Sequence, residues 1–570
     1  MVTFFSTKIQ KIENQLREIQ AKTNSNQDTL TIEASTVYHK DTLRSFHPVT
    51  EDNIRKLIIS SASKSCILDP IPTYLLKECL DSLLPIITRI VNLPLLSCTV
   101  PDCFKTAAVT PLLKKTSLDP NHLQNYRPVS NLPYLSKILE KVVLEQINNH
   151  KTANDLNEKF QSAYRKNHST ETALLRINND LLQSMDKRQC CFLVLLDLSA
   201  AFDTVNHDIL LKRLSDRFGI KDDALAWITS YLKNRSHFVS INKSRSTPVL
   251  QHCNVPQGSV LGPTFFSDYI SPLSDIFAKW GVSFHSYADD TQIYVPFQPG
   301  VDEDQVLRKL INCINEVRIW MAKFFLKLND DKTDFILIGN NCFLSKVSTE
   351  YLTVGDHLVP VSDSVKNIGA SFDSSLSMET EVKQKCKSAW WQLYQISKIK
   401  SFLTVDQLKT VTVSLVLSKL DQNNSLLHDL PDYLLDRLQR VQNGAARMIC
   451  SAHRRSDAFP LLASLHWLPI EQRIKFKILL LVYKCLNGIG RSYLSEFLSL
   501  YTNSEPRQCL RSSMLDNLHV PRSSNKFGDR SFVVCAPKLW NTLPVAIRGS
   551  TSVDSFKKSL KTFLFQFSCA

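Results

Sequence analysis

Hydrophobic and polar positions follow two rhythms along this chain, a period of two that marks strands and a period near 3.6 that marks helices. The run Phe192-Leu-Val-Leu-Leu196 is unbroken and rich in branched residues, which predicts a strand buried on both faces. Ser283-Phe-His-Ser286 and Thr291-Gln-Ile-Tyr-Val295 alternate on either side of Tyr287-Ala-Asp-Asp290, which predicts a hairpin with two acids at its turn. Thr106-Ala-Ala-Val-Thr-Pro-Leu-Leu113 predicts a further short strand, and Asn125 to Pro133 a loop. Helical spacing of Ile138, Leu139, Val142, Val143 and Ile147 predicts an amphipathic helix from Ser136 to His150. Phe265, Phe266, Tyr269, Ile270, Leu273, Ile276 and Phe277 predict a helix entered through Gly262-Pro263, since proline suits a first helical turn.

Thr50 is the expected N-cap of the next helix upstream, and Asp69-Pro-Ile-Pro72 a rigid turn. Ile9, Ile12, Leu16 and Ile19 predict a short amphipathic helix over residues 6 to 22, followed by a polar tether over 23 to 48. Beyond residue 374 the pattern is mostly helical. There Leu434, Leu438, Val441, Ala445 and Met448 form one apolar stripe, with Arg437, Arg440 and Arg447 off it. The longest apolar tract, Leu83 to Val100, is interrupted by Arg89, Asn92 and Pro94, so no membrane span is expected.

The 570 residues are enough for several domains, and 43% hydrophobic with 21% charged content is that of a globular chain. A net charge of +14 favours a polyanionic partner, nucleic acid above all. The 15 cysteines are scattered, with no C-x-x-C pair and no zinc spacing, which implies reduced thiols inside the cell, in the nucleus or the cytoplasm. Met1-Val-Thr-Phe-Phe5 leads into a charged segment and does not read as a secretory signal.

Candidate chemistry begins with Asp197, which closes the buried strand. Beside a turn carrying Asp289 and Asp290 it would bring three carboxylates together, and such charges need neutralising. Hard divalent cations do this through oxygen ligands, and a pair of them clamps an in-line displacement at phosphorus. That points to nucleotidyl transfer.

The surrounding residues resemble a known family. Phe192-Leu-Val-Leu-Leu-Asp-Leu-Ser-Ala-Ala-Phe-Asp-Thr-Val-Asn-His207 resembles motif A of reverse transcriptases, Val255-Pro-Gln-Gly-Ser-Val-Leu-Gly-Pro263 motif B, and Tyr287-Ala-Asp-Asp290 motif C. Leu326-Lys-Leu-Asn-Asp-Asp-Lys-Thr333 resembles motif D, and Asn125-Tyr-Arg-Pro-Val-Ser-Asn-Leu-Pro133 the finger motif. The wording is closest to LINE-type (non-LTR) retrotransposons of the jockey-like kind. It extends from about residue 50 to the C-terminus, including Leu468-Pro469 and Leu539-Trp-Asn-Thr-Leu-Pro544.

The resemblance implies an α/β right-hand polymerase with fingers, palm and thumb, then a mostly helical C-terminal region. Its expected parts are an N-terminal helix and linker (1–48), an extension and fingers (49–159), the fingers and palm core (160–372), the thumb (373–455) and the C-terminal region (456–570). It implies two Mg²⁺, with Mn²⁺ as the alternative, on Asp197, Asp289 and Asp290. Phe202 would lie beneath the sugar and exclude a 2′-hydroxyl, while Gln257 and Gly258 would admit the incoming nucleotide. The family has Gly where this chain has Asn254, and Asn also tolerates left-handed backbone.

Arg127 would grip the triphosphate, a structural ion pair being its competing explanation. Lys332 would protonate the departing pyrophosphate, and Gly369 would form the primer grip. Trp390, Trp391 and Tyr394, on a helix with Lys383, Lys385 and Lys387, read first as core and second as a track for nucleic acid. His466-Trp467 and Leu539-Trp540 read as core.

The expected partners are an RNA template, a DNA primer or target, and dNTPs, with no membrane. Members of the family carry an upstream endonuclease that this sequence does not resemble, so primer extension without nicking is expected. A catalytically silent RNA-binding remnant is the alternative. An RNA-dependent RNA polymerase shares the two-metal site, but Phe202 and the Tyr-Ala-Asp-Asp turn argue against it.

Overall fold

The computed structural model describes residues 41–566 except 200, 242–243, 252 and 501–516, together with residues 4, 7, 12, 14 and 16. The chain divides into two compact units built from separated stretches. One comprises Met1–Tyr164, Asp197–Gly281 and Asn312–Asp331; the other comprises Arg165–Leu196, Val282–Ile311 and Lys332–Ala570.

In the first unit the strand Thr106–Leu113 pairs antiparallel with Tyr126–Asn131 and parallel with Arg235–Ile241. The loop expected from Asn125 to Pro133 is therefore largely a strand. Pro128 obscured it, yet proline is tolerated because Tyr126–Asn131 is the edge of its sheet and needs no donor on its outer side. Thr50 caps the helix Glu51–Ser60 as expected, its side chain accepting from the Asn53 amide. Helix Tyr134–Ala153 buries all five residues of its expected apolar face.

The helix expected after Gly262 is two helices, Gly262–Ile270 and Leu273–Trp280. Pro272 separates them because it has no N–H to continue the ladder. The seven apolar residues of the stripe are nevertheless all buried.

Helix Leu80–Ser97 contains Arg89, Asn92 and Pro94, the residues that interrupt its apolar run. The Asn92 amide is satisfied by the Val49 backbone, through contacts of 2.9 Å to its N–H and its carbonyl. With 18 residues and a mean hydropathy of 1.3, this helix is long and apolar enough to cross a membrane by length and composition. Leu84, Ile87, Val91 and Leu95 are among its buried residues, and it packs against the helices Glu51–Ser60 and Tyr134–Ala153. Near the N-terminus Ile12 and Leu16 are buried against Ala322 and Phe325. Ile9, Ile19 and the tether up to residue 40 lie outside the described residues.

The second unit is organised on a four-stranded antiparallel sheet in the order Asp334–Ile338, Cys190–Leu196, Asp290–Phe297, Ser283–Tyr287. Every residue of Cys190–Leu196 is buried, as a double-faced strand requires, and Phe192 stacks on Phe297 with ring centroids 4.0 Å apart. Helix Thr170–Asp186 packs on this sheet and opens with a reciprocal Ser169–Thr172 capping box. From that helix Asp180 accepts hydrogen bonds from Tyr294 Oη at 2.6 Å and Arg176 Nε at 2.9 Å, tying it to a central strand. The remainder is mostly helical. On helix Asp432–Ile449 the expected stripe is buried except at Met448, and Gln442 joins it by donating to the Leu468 carbonyl at 2.9 Å.

His285 lies on the hairpin strand, two residues before Tyr287, fully buried with its ring edge-on to Tyr493 at 5.1 Å. Burial first, then the charges of Arg176, His168 and Arg165, push it down from 6.5 to about 3. Above pH 6.5 the group is neutral folded or unfolded. Below it the unfolded chain takes a proton that the folded one refuses, so stability falls as pH drops from 6.5 toward 3. The expected slope is up to about 1.4 kcal/mol per pH unit from this group. Urea denaturation across that range should show His285→Phe losing this part of the acid sensitivity; an unchanged slope would contradict the assignment.

Candidate active site

The Tyr287-Ala-Asp-Asp290 segment is a two-residue turn. Tyr287 pairs with Asp290 across the hairpin, and Ala288 takes φ +60°, the left-handed value that primed turns require at their first position. Ser286 and Thr291 face each other with hydroxyls 3.0 Å apart, bracing the hairpin below the acids. Ala288 is buried, Asp289 half-buried and Asp290 exposed. In the adjacent strand Leu196 pairs with Thr291, the residue after Asp290, and the next residue of the chain after Leu196 is Asp197.

Within the first unit Asp197 is held from the motif D side. Its backbone carbonyl accepts from the Asn329 N–H at 2.9 Å, and its Oδ2 accepts from the Asn329 side chain at 3.2 Å. The two residues beyond it pair with Lys327–Leu328. Phe202 is half-buried, stacked on Phe266 at 4.7 Å. Its carbonyl accepts from the Val255 N–H at 3.0 Å, and Val205 accepts from the Asn254 N–H at 3.0 Å. These two bonds lock the end of motif A to the motif B loop. Asn254 is buried at φ +101°, so the asparagine that replaces the family's glycine does occupy left-handed backbone.

The motif B loop is fastened on its other side as well. The Gln257 carbonyl accepts from the Ser130 N–H at 2.8 Å, tying the loop to the edge strand that also carries Arg127. Gly258 sits at φ +124°, and a Cβ there would lie 2.3 Å from the Ser130 carbonyl oxygen. Only glycine permits that approach. Arg127 is exposed and makes no ion pair among the described residues, so the structural salt bridge that competed for it is absent there.

One residue of this arrangement escaped the sequence reading. Glu140, buried on helix Tyr134–Ala153, accepts from the Val260 N–H at 2.6 Å and the Leu261 N–H at 3.1 Å. It thereby holds the motif B loop at the entrance of the Gly262 helix. Burial pushes its carboxyl up, while the Arg235 charge and the two amides pull it back. The available signal was a glutamate beside Leu139 on an otherwise apolar face.

Lys332 is exposed at the end of the turn Asp330–Lys332. Gly369, at φ +94°, lies in the tight turn between the strands Ser364–Asn367 and Ala370–Asp373. The aromatic cluster departs from expectation. Trp390, Trp391 and Tyr394 are 45%, 58% and 57% exposed, so they are not core. Lys385 instead points inward, held by Glu381 and by the carbonyls of Lys419 and Gln422. Helical spacing explains this: Val382, Cys386, Ala389, Leu393 and Ile396 occupy the inner face and leave the rings outside. Trp467 and Trp540 are buried as expected, whereas His466 is exposed.

Among the described residues no three His, Cys, Asp or Glu converge as a ready-made metal cage. The donor chemistry of the three aspartates, carboxylate oxygen alone, suits a hard divalent cation rather than zinc.

The buried antiparallel sheet with its acidic hairpin belongs to a chain of mixed α/β structure with a large helical share. The profile of the family described as reverse transcriptase (RNA-dependent DNA polymerase) matches residues 113–372. A probable RNA-directed DNA polymerase from transposon BS of Drosophila melanogaster is 26% identical over 387 residues, covering 66% of this chain and 41% of that protein. The RNA-directed DNA polymerase from mobile element jockey of the same species is 26% identical over 288 residues, covering 50% and 30%. Against a telomerase from Candida albicans in complex with a TWJ fragment of telomeric RNA the TM-score is 0.32 at 13% identity, covering 69% of this chain and 66% of that one. Residues 113–372 thus match the reverse transcriptase family, and the chain is similar to RNA-directed DNA polymerases of LINE-type, non-LTR retrotransposons. It spans less than half the length of these curated relatives.

Replacing Glu140 by Ala would remove the acceptor of the Val260 and Leu261 amides and the carboxylate that interacts with the Arg235 charge. A loss of about 3 kcal/mol in urea denaturation is expected, with Glu140→Gln retaining roughly half. Equal stability of the alanine variant and the parent would show that Glu140 does not hold the loop.

Proposed function

We propose that the chain is an RNA-directed DNA polymerase that extends a DNA 3′ end on an RNA template with dNTPs. The observation that carries this reading is strand register. Leu196 pairs with Thr291, so Asp197 directly follows one member of this pair along the chain, and Asp289 and Asp290 directly precede the other. Asp197, Asp289 and Asp290 would hold two Mg²⁺, or Mn²⁺, and the ions when bound would activate the primer hydroxyl and neutralise the triphosphate.

The remaining roles belong to side chains. Phe202, fixed by its stack on Phe266, would exclude a ribose 2′-hydroxyl. Gln257 and Gly258 would present the loop to the incoming nucleotide, and the exposed guanidinium of Arg127 would bind its phosphates in bidentate fashion. Lys332 would give a proton to the departing pyrophosphate. The Gly369 turn would bring backbone close to the primer end. RNA template and DNA primer or target are the proposed partners, and the proposed location is the nucleus or the cytoplasm.

Purified chain should extend oligo(dT) on poly(rA) with dTTP and Mg²⁺, and a double Asp289→Ala, Asp290→Ala variant should lose that activity. A well-folded parent that binds RNA without extending the primer would overturn the reading. Separately, Phe202→Ala should raise ribonucleotide incorporation while leaving dTTP extension measurable. Unchanged sugar selection would remove Phe202 from its assigned role.

A further inference from the structure

Helix Glu379–Ile399 presents Lys383, Lys387, Trp390, Tyr394 and Lys398 at intervals of three and four residues, all exposed on one face. The cations and rings alternate, and the Lys398 ammonium lies 4.4 Å from the centroid of the Tyr394 ring. An exposed stripe of this kind contributes nothing to the core, which the opposite face already fills.

The stripe adjoins a cleft of about 780 Å³ where this helix packs against Asp432–Ile449. Trp390, Lys400, Arg440, Arg447 and Arg454 line it, and none of its lining residues is acidic. None of these four cations makes an ion pair among the described residues. Arg447 donates one hydrogen bond, from Nε to the Ser456 carbonyl at 3.0 Å, which fixes its stem at the cleft wall.

The indole has a built seat. Gly444 lies inside helix Asp432–Ile449, where glycine weakens the helix, and a Cβ there would meet the Trp390 ring at 2.8 Å. The missing side chain lets the ring descend onto the second helix, while 45% of the residue stays exposed. A seated ring with an open side among unpaired cations is suited to stack one base and bind the flanking phosphates. A duplex offers no free base face to such a ring, whereas an unpaired strand does.

We propose that this cleft binds single-stranded RNA, one base stacked on Trp390 and adjacent phosphates on Lys400, Arg440, Arg447 and Arg454. The stripe from Lys398 to Lys383 would carry the strand along the helix. The proposal rests on the polymerase reading only for its choice of RNA over DNA.

The test is fluorescence anisotropy on the whole chain with labelled oligo(U), the matching single-stranded DNA and a blunt RNA duplex, across a salt series. Trp390→Ala should weaken oligo(U) binding about tenfold, with Trp390→Phe recovering most of it. Arg440→Gln with Arg454→Gln should lower the logarithmic salt slope by about 1.4, the share of two phosphate contacts on a single strand. Duplex binding should be unchanged in all three variants. Unchanged oligo(U) affinity in both the Trp390→Ala and the double arginine variant would overturn the site. Parallel losses on duplex would assign the cleft to duplex backbone instead, and tighter binding of single-stranded DNA would overturn the choice of RNA. Primer extension is measured alongside: if it fails while the Trp390 effect holds, the polymerase reading falls and the cleft assignment stands.

Discussion

The pairing of strand Cys190–Leu196 with strand Asp290–Phe297 is the constraint on which the rest of the arrangement depends. The first strand is buried along its whole length, and side chains such as Phe192, Leu193 and Val194 each contribute about 1.5–3 kcal/mol by burial. The side-chain period of a strand is two. A slip of one residue would exchange the side chains packed on its two buried faces and move Leu196 away from Thr291, so packing and acid position are fixed by one register. The antiparallel hairpin and the edge strand Asp334–Ile338 complete the sheet around that pair.

In the first unit precision comes from polar contacts rather than from apolar bulk. The motif B loop is gripped by Phe202 and Val205 on one side, and by Ser130 and Glu140 on the other, through hydrogen bonds of 2.6–3.1 Å. Burying a glutamate for this purpose is costly, and the raised carboxyl of Glu140 records that cost. Arg235, almost wholly buried, offsets part of it by its charge. Glycine at 258 and left-handed asparagine at 254 give the loop the backbone conformations that these contacts demand.

Much of the fold was legible along the chain because its strongest signals are local. The strand at Thr106–Leu113, the buried strand ending at Leu196, the two-residue acidic turn and the apolar face of helix Tyr134–Ala153 follow from periodicity alone. Errors fell where a proline's effect depends on context. Pro128 is harmless at a sheet edge, and Pro272 splits a helix whose stripe stays in phase.

By itself the sequence determined the order of the motif blocks, the acids at strand end and turn, and the reverse transcriptase kinship they carry. Those properties reside in residue identity and short spacing. Only the tertiary structure decided which side of an element faces its neighbours. It put Lys385 inside and Trp390 outside on one helix, aimed Glu140 at the amides of a loop 120 residues away, and gave Gly444 its purpose beneath an indole. The reason is that burial and close approach are set by residues distant in the chain, and no local pattern specifies which of them will meet.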